Sequence, residues 1–171
     1  MAAMDLKIGE CVHYGAHGVC RVCGREARSI GGRQRVYFTL RPTDSENIVL
    51  YLPEDAEPEK VKIRRLMSRQ EIMELIDDAG KTQVTWITDS KLRRESFSRI
   101  LRGGKATELI EMLKSIHVHQ EELPQGKQLP MSDQEMQHAA QKQLYGEMAY
   151  VLSIDESQVQ PFILNHLQHE N

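Results

Sequence analysis

"KIGECVHYGAHGVCRV" occupies residues 7–22 and carries two superimposed patterns. Val12, Tyr14, Val19 and Val22 fall in short β-favouring runs broken by Gly9, Gly15 and Gly18, which is how strands joined by tight turns are punctuated. His13, His17, Cys20 and Cys23 overlay that pattern with residue types that zinc accepts. Residues three apart on a strand point to opposite faces, however, and Arg21 and Val22 continue an extended run where a chelating Cys-x-x-Cys would turn tightly. The cysteines therefore read as small packed apolar groups, and neither a metal nor any other cofactor is expected. A zinc-dependent protein built on these four residues is the competing reading.

Working outward, further β-rich runs follow at 18–28 ("GVCRVCGREAR"), 35–41 ("RVYFTLR") and 47–53 ("NIVLYLP"). "IGGR" at 30–33 is a hairpin signal, because Gly31 and Gly32 can both take the positive φ of a primed turn. "PTDSEN" at 42–47 supplies another turn, and "PEDAEPEK" at 53–60 closes the set. Short strands at this spacing predict a small barrel, SH3-like or Tudor-like, over 4–66.

From residue 67 the period changes. Ser68 with Glu71, and Ser132 with Glu135, have capping-box spacing, and Leu109, Ile110, Met112, Leu113 and Ile116 form an apolar stripe at helical spacing. Helices are predicted near 68–79, 90–102, 105–119, 132–151 and 155–168, with Pro161 kinking or restarting the last. "HQEELPQGKQLPM" separates two of them as a loop. The fold class is thus α+β in two parts, a β-barrel over 4–66 and an all-α helical domain over 67–171.

Composition narrows the function. No apolar run approaches the ~18 residues of a membrane span, and "MAAMDLKIGE" lacks the apolar stretch of a signal peptide, so a cytoplasmic protein is expected. The net charge of −3 conceals a segregation, because residues 81–116 carry eight basic side chains against four acidic while 117–171 carry two against eight. Phosphate contacts depend on local basic density, which keeps nucleic acid open as a partner. "RGGK" at 102–105 is no phosphate loop, since Arg99 stands where the first glycine is needed and Ala106 where Ser or Thr is needed. With no nucleophile elbow or HExxH motif either, a non-enzymatic protein is expected.

Trp86, the one tryptophan of the chain, stands just before a basic stretch in "KTQVTWITDSKLRRESF". It reads either as a core residue or as an apolar wedge against nucleic-acid bases, with Lys91, Arg93, Arg94, Arg99, Arg102 and Lys105 holding phosphates beside it.

These features in this order resemble the CarD family of bacterial transcription regulators, whose N-terminal domain is shared with the transcription-repair coupling factor. "KIGECVHYGAHGVCRV" is similar to that family's opening Lys-Val-Gly-Asp-x-Val-Val-Tyr followed by His-Gly, "RSIGGRQRVYFTLR" to its next hairpin, and "NIVLYLP" to a strand ending in proline. The similarity continues through the tryptophan and "FSRILRGG" to "PMSDQEMQHAAQKQLYGEMAYVL". The resemblance implies a Tudor-like domain that binds the RNA polymerase β subunit along an exposed strand edge. It also implies a helical domain that touches promoter DNA at the upstream edge of the melted region, where the tryptophan wedges into the minor groove. Arg28 matches a basic position on the polymerase-facing strand, Tyr51 stands at a second position of that surface, and Trp86 matches the wedge. The segment "ITDSKLRRES" after it is longer than its counterpart in the family. The implied action is to stabilise the open promoter complex. A protein-interaction adaptor with no DNA contact is the alternative.

Overall fold

The computed structural model describes residues 4–45 and 47–169, which divide into two compact units, 1–66 and 67–171. The first unit is an antiparallel sheet of five strands: β1 (Cys11–Tyr14), β2 (Val19–Ile30), β3 (Arg33–Pro42), β4 (Leu50–Pro53) and β5 (Ile63–Arg65). Their order across the sheet is β4-β3-β2-β1-β5, which leaves β4 and β5 at its two ends. Inward-facing Val12, Cys20, Val22, Phe38, Leu40 and Leu52 form the core of this unit. The alternation of apolar and polar residues along β1 and the first half of β2 sets that register, as a half-buried strand requires.

Gly31 and Gly32 join β2 to β3 with φ of 62° and 78°, a turn that only residues tolerant of the left-handed region enter cheaply. Opposite Leu40 and Thr39 the register shifts between Val22 and Gly24, so Cys23 is the extra residue of a bulge. The expected turn at 42–47 contains Thr43 and Asp44 as described, while Glu46 lies outside the described residues. β5 was not predicted. It follows a single helical turn, α1 (Pro58–Val61), whose C-cap Lys62 has a φ of 59° and so redirects the chain antiparallel to β1.

The second unit consists of α2 (Arg69–Lys81), α3 (Ser90–Gly103), α4 (Ala106–Glu122), α5 (Met131–Leu152) and α6 (Val159–His169), the last preceded by a 3₁₀ turn at Glu156–Gln158. Ile72, Ile76, Leu109, Ile116, Leu144 and Met148 are buried at its centre. Pro161 lies in the first turn of α6, where its missing N–H costs nothing, so the helix starts beside it. Ser68 caps α2, accepting from the Glu71 N–H at 3.1 Å. Ser132 is not the cap: α5 begins at Met131, with Pro130 at the N-cap and no side-chain cap hydrogen bond. No described helix is long and apolar enough to cross a membrane.

The two serines thus separate by experiment. Ser68→Ala should lower the stability of the helical unit by about 1 kcal/mol, the usual loss of a cap. Ser132→Ala should change it by a few tenths at most, read by chemical denaturation of each variant.

Candidate nucleic-acid and partner interfaces

Two groups of side chains stand out, one in each unit. On the sheet, β4 is an end strand that among the described strands pairs with β3 alone, and just beyond it the Glu54 carbonyl accepts from the Met4 N–H at 3.3 Å. Thr39 is the register partner of Tyr51 on that strand. Tyr51 is 42 % exposed. Its ring lies under the Arg28 guanidinium, 4.3 Å from carbon to centroid, and meets Tyr37 edge-on at 6.5 Å. The structure therefore brings together the two residues expected to contact polymerase, although they lie on strands separated by β3. Arg28 is also 3.6 Å from Glu26. Nearby charged groups are paired: Arg25 donates to Glu54 at 2.6 Å and 2.8 Å, and Arg35 binds Asp55.

The four zinc-type residues are not gathered. His13 on β1 and Cys20 on β2 are buried, whereas His17 and Cys23 are exposed. Among the described residues no group of three or more His, Cys, Asp or Glu is arranged to hold a metal. Burial, with smaller contributions from Asp44 and Cys11, pushes the Cys20 thiol up to about 12. A thiol that stays protonated and buried is a poor nucleophile. Native protein treated with iodoacetamide at pH 8 should therefore be alkylated first at Cys23 and at Cys20 only after unfolding, as peptide mass mapping would read.

In the helical unit, Trp86 sits in the connection between α2 and α3, half-buried against the core. It is neither a fully enclosed core residue nor a bare wedge. Its immediate neighbours in sequence are too polar to enclose it, and the enclosing groups come from farther away. The His119 imidazole lies parallel to it, with centroids 3.9 Å and planes 3° apart. Phe97 approaches edge-on at 6.2 Å, and the Arg93 guanidinium stands 4.6 Å from the ring centroid.

Arg93 requires a correction. Expected among the phosphate contacts, it is buried, with only 7 % of its side chain exposed, and is paired with an equally buried Asp133 on α5. Nε and Nη2 donate to the two carboxylate oxygens at 3.0 Å and 2.8 Å, a bidentate fork. Nη1 donates to the carbonyls of Ile87 and Thr88 at 2.8 Å and 3.3 Å, which fixes the backbone just after Trp86. The signal was available in the spacing: Phe97 and Ile100 follow Arg93 at four and seven residues, so all three belong to the inward face of α3.

Lys91, Arg94, Arg99, Arg102 and Lys105 are exposed along α3 and its C-terminal cap. Arg99 is 3.7 Å from Glu108, a loose surface pair. These five supply the cationic surface, adjoining the turn where Asp89 caps α3 by accepting from the Leu92 N–H at 2.9 Å. Lys114, by contrast, spends its ammonium on the C-terminal end of α2, donating to the carbonyls of Ala79 and Thr82 at 2.7 Å and 2.5 Å. His119 was missed as a functional residue. It lies three residues beyond Ile116 and seven beyond Met112, on the edge of the apolar stripe of α4, where a ring partner for an indole fits.

Comparison with known families identifies the first unit. Residues 6–67 match the CarD-like/TRCF RID domain, the CarD-like N-terminal RNA polymerase-interacting domain. No curated protein matches the chain.

The burial difference between neighbouring arginines is testable. Arg93→Ala leaves the Asp133 carboxylate buried without its partner and should cost about 3–5 kcal/mol. Arg94→Ala should stay within about 0.5 kcal/mol of wild type, both measured by urea denaturation.

Proposed function

We propose that this protein is a non-enzymatic bacterial transcription regulator that binds the RNA polymerase β subunit through its sheet unit and promoter DNA through its helical unit, and so stabilises the open promoter complex. The observation that carries the reading is the exposed basic face of α3 directly after the loop bearing Trp86, in a chain whose N-terminal unit matches an RNA polymerase-interacting domain. In this reading the sheet unit is a Tudor-like barrel, β4 offers its free edge to a strand of the β subunit, and Arg28 and Tyr51 flank that edge. Trp86 enters the upstream edge of the transcription bubble from the minor groove. Lys91, Arg94, Arg99, Arg102 and Lys105 contact phosphates, which position the protein without reading sequence. The protein works in the bacterial cytoplasm, associated with the nucleoid through polymerase.

No bond is made or broken in this action. A factor that binds the open complex better than the closed one shifts the population toward the open form by its differential affinity. About 1.4 kcal/mol of such preference changes the ratio tenfold. A single inserted aromatic side chain and a few phosphate contacts are enough for an effect of that size.

Charge reversal at Arg28 should weaken capture of the β subunit while leaving the thermal midpoint nearly unchanged, since an exposed interface charge contributes little to folding. Replacing Arg94 and Arg102 together by alanine should reduce the dependence of DNA affinity on salt and weaken unrelated sequences alike. The deciding measurement is open-complex lifetime at one promoter with polymerase saturated by wild type or Trp86→Ala. A shorter lifetime with the folded mutant is expected. A mutant that prolongs the open complex as well as wild type would overturn the proposal.

A further inference from the structure

The loop that carries Trp86 is held by α4 at two points. At its beginning, Lys114 donates to the Thr82 carbonyl at 2.5 Å. At Trp86 itself, the His119 imidazole stacks in parallel on the indole, 3.9 Å between centroids and 3° between planes. At the far end of the loop, Arg93 fixes the carbonyls of Ile87 and Thr88 and is itself fixed by Asp133. The backbone on either side of the indole is thus tied down by hydrogen bonds, and these say nothing about the torsions of the side chain. Those torsions are restricted by the ring contacts, of which the parallel stack is the closest. His119 rides on the last turn of α4, so its Cα is placed by a regular helix.

We propose that His119 is a positioning residue for Trp86: the stack sets the plane in which the indole is presented to DNA before contact. The proposal rests on the reading of Trp86 as a DNA-contacting wedge. A side chain already ordered in the free protein loses less freedom on binding, so pre-orientation appears as affinity. The Arg93 guanidinium also lies over the ring, 4.6 Å from its centroid, so the indole is held between charged and aromatic neighbours with the imidazole its closest parallel contact.

Because the chain has one tryptophan, its emission reports this contact directly. The test uses the full chain with His119→Gln, which removes the ring but keeps a helix-compatible polar side chain, and with His119→Phe, which restores a ring. His119→Ala repeats the first so that a folding defect in one leaves the other. Two quantities are read, acrylamide quenching of the tryptophan and affinity for a duplex containing an unpaired bubble, with the thermal midpoint as the control for folding. Loss of the ring should raise quenching and weaken bubble binding by about fivefold, the scale of ordering one free side chain on binding. His119→Phe should return both toward wild type. Unchanged quenching in the Gln and Ala variants would overturn the positioning role whatever DNA does. Raised quenching with wild-type bubble affinity, while Trp86→Ala weakens that affinity, would overturn the link from orientation to binding. Wild-type bubble affinity in Trp86→Ala would instead remove the DNA role of Trp86 itself.

Discussion

A guanidinium and a carboxylate taken out of water together must find all their hydrogen bonds inside the protein, and the Arg93–Asp133 pair meets that requirement in a way that organises the helical unit. The fork joins α3 to α5, and the remaining guanidinium nitrogen reaches the two carbonyls that follow Trp86. Such a pair is weak evidence for net stability, because its desolvation offsets much of its Coulombic attraction. Its effect is on specificity of arrangement. Any conformation in which the Trp86 loop drifts off α3 leaves donors unsatisfied in a dry environment, and that penalty selects one loop geometry from many.

The two units present different materials at their surfaces. In the proposed reading the sheet offers a strand edge, where main-chain groups would supply the attraction and side chains such as Arg28 and Tyr51 would select among partners. The helical unit presents side chains alone, an indole and five exposed cations on a scaffold of packed helices. Backbone pairing is geometrically demanding but indifferent to sequence. Cationic contacts are geometrically permissive and depend on salt. A protein that used both would hold one partner by register and the other by charge and shape.

Much of this was legible in the sequence. The period-2 runs around "ECVHY" and "RVYFTLR", the Gly31–Gly32 turn and the apolar stripe of α4 are local signals, and they placed β1 to β4 and α2 to α6 close to where they lie. β5 escaped because "IRR" is three residues long and charged, and its pairing with β1 is decided by the left-handed turn at Lys62, a conformation that lysine does not advertise. The second capping box failed because the helix is entered two residues upstream of Ser132, with Pro130 at the N-cap. At the candidate interface, the exposed cations were legible as a group, and Arg93 was misplaced among them because charge was weighed before helical position. The stack of His119 on Trp86 joins residues 33 positions apart, a distance over which no local pattern speaks.

The buried fork of Arg93 and Asp133 also has a thermal side. The cost of withdrawing charged groups from water falls as temperature rises, whereas the gain from burying apolar surface levels off. The hold on the Trp86 loop therefore gains on heating relative to the aliphatic packing of Ile72, Ile76, Leu144 and Met148 around which the helices assemble. The tether on that loop thus does not loosen ahead of its scaffold on warming, and the loop's geometry is kept for as long as the helices stay packed.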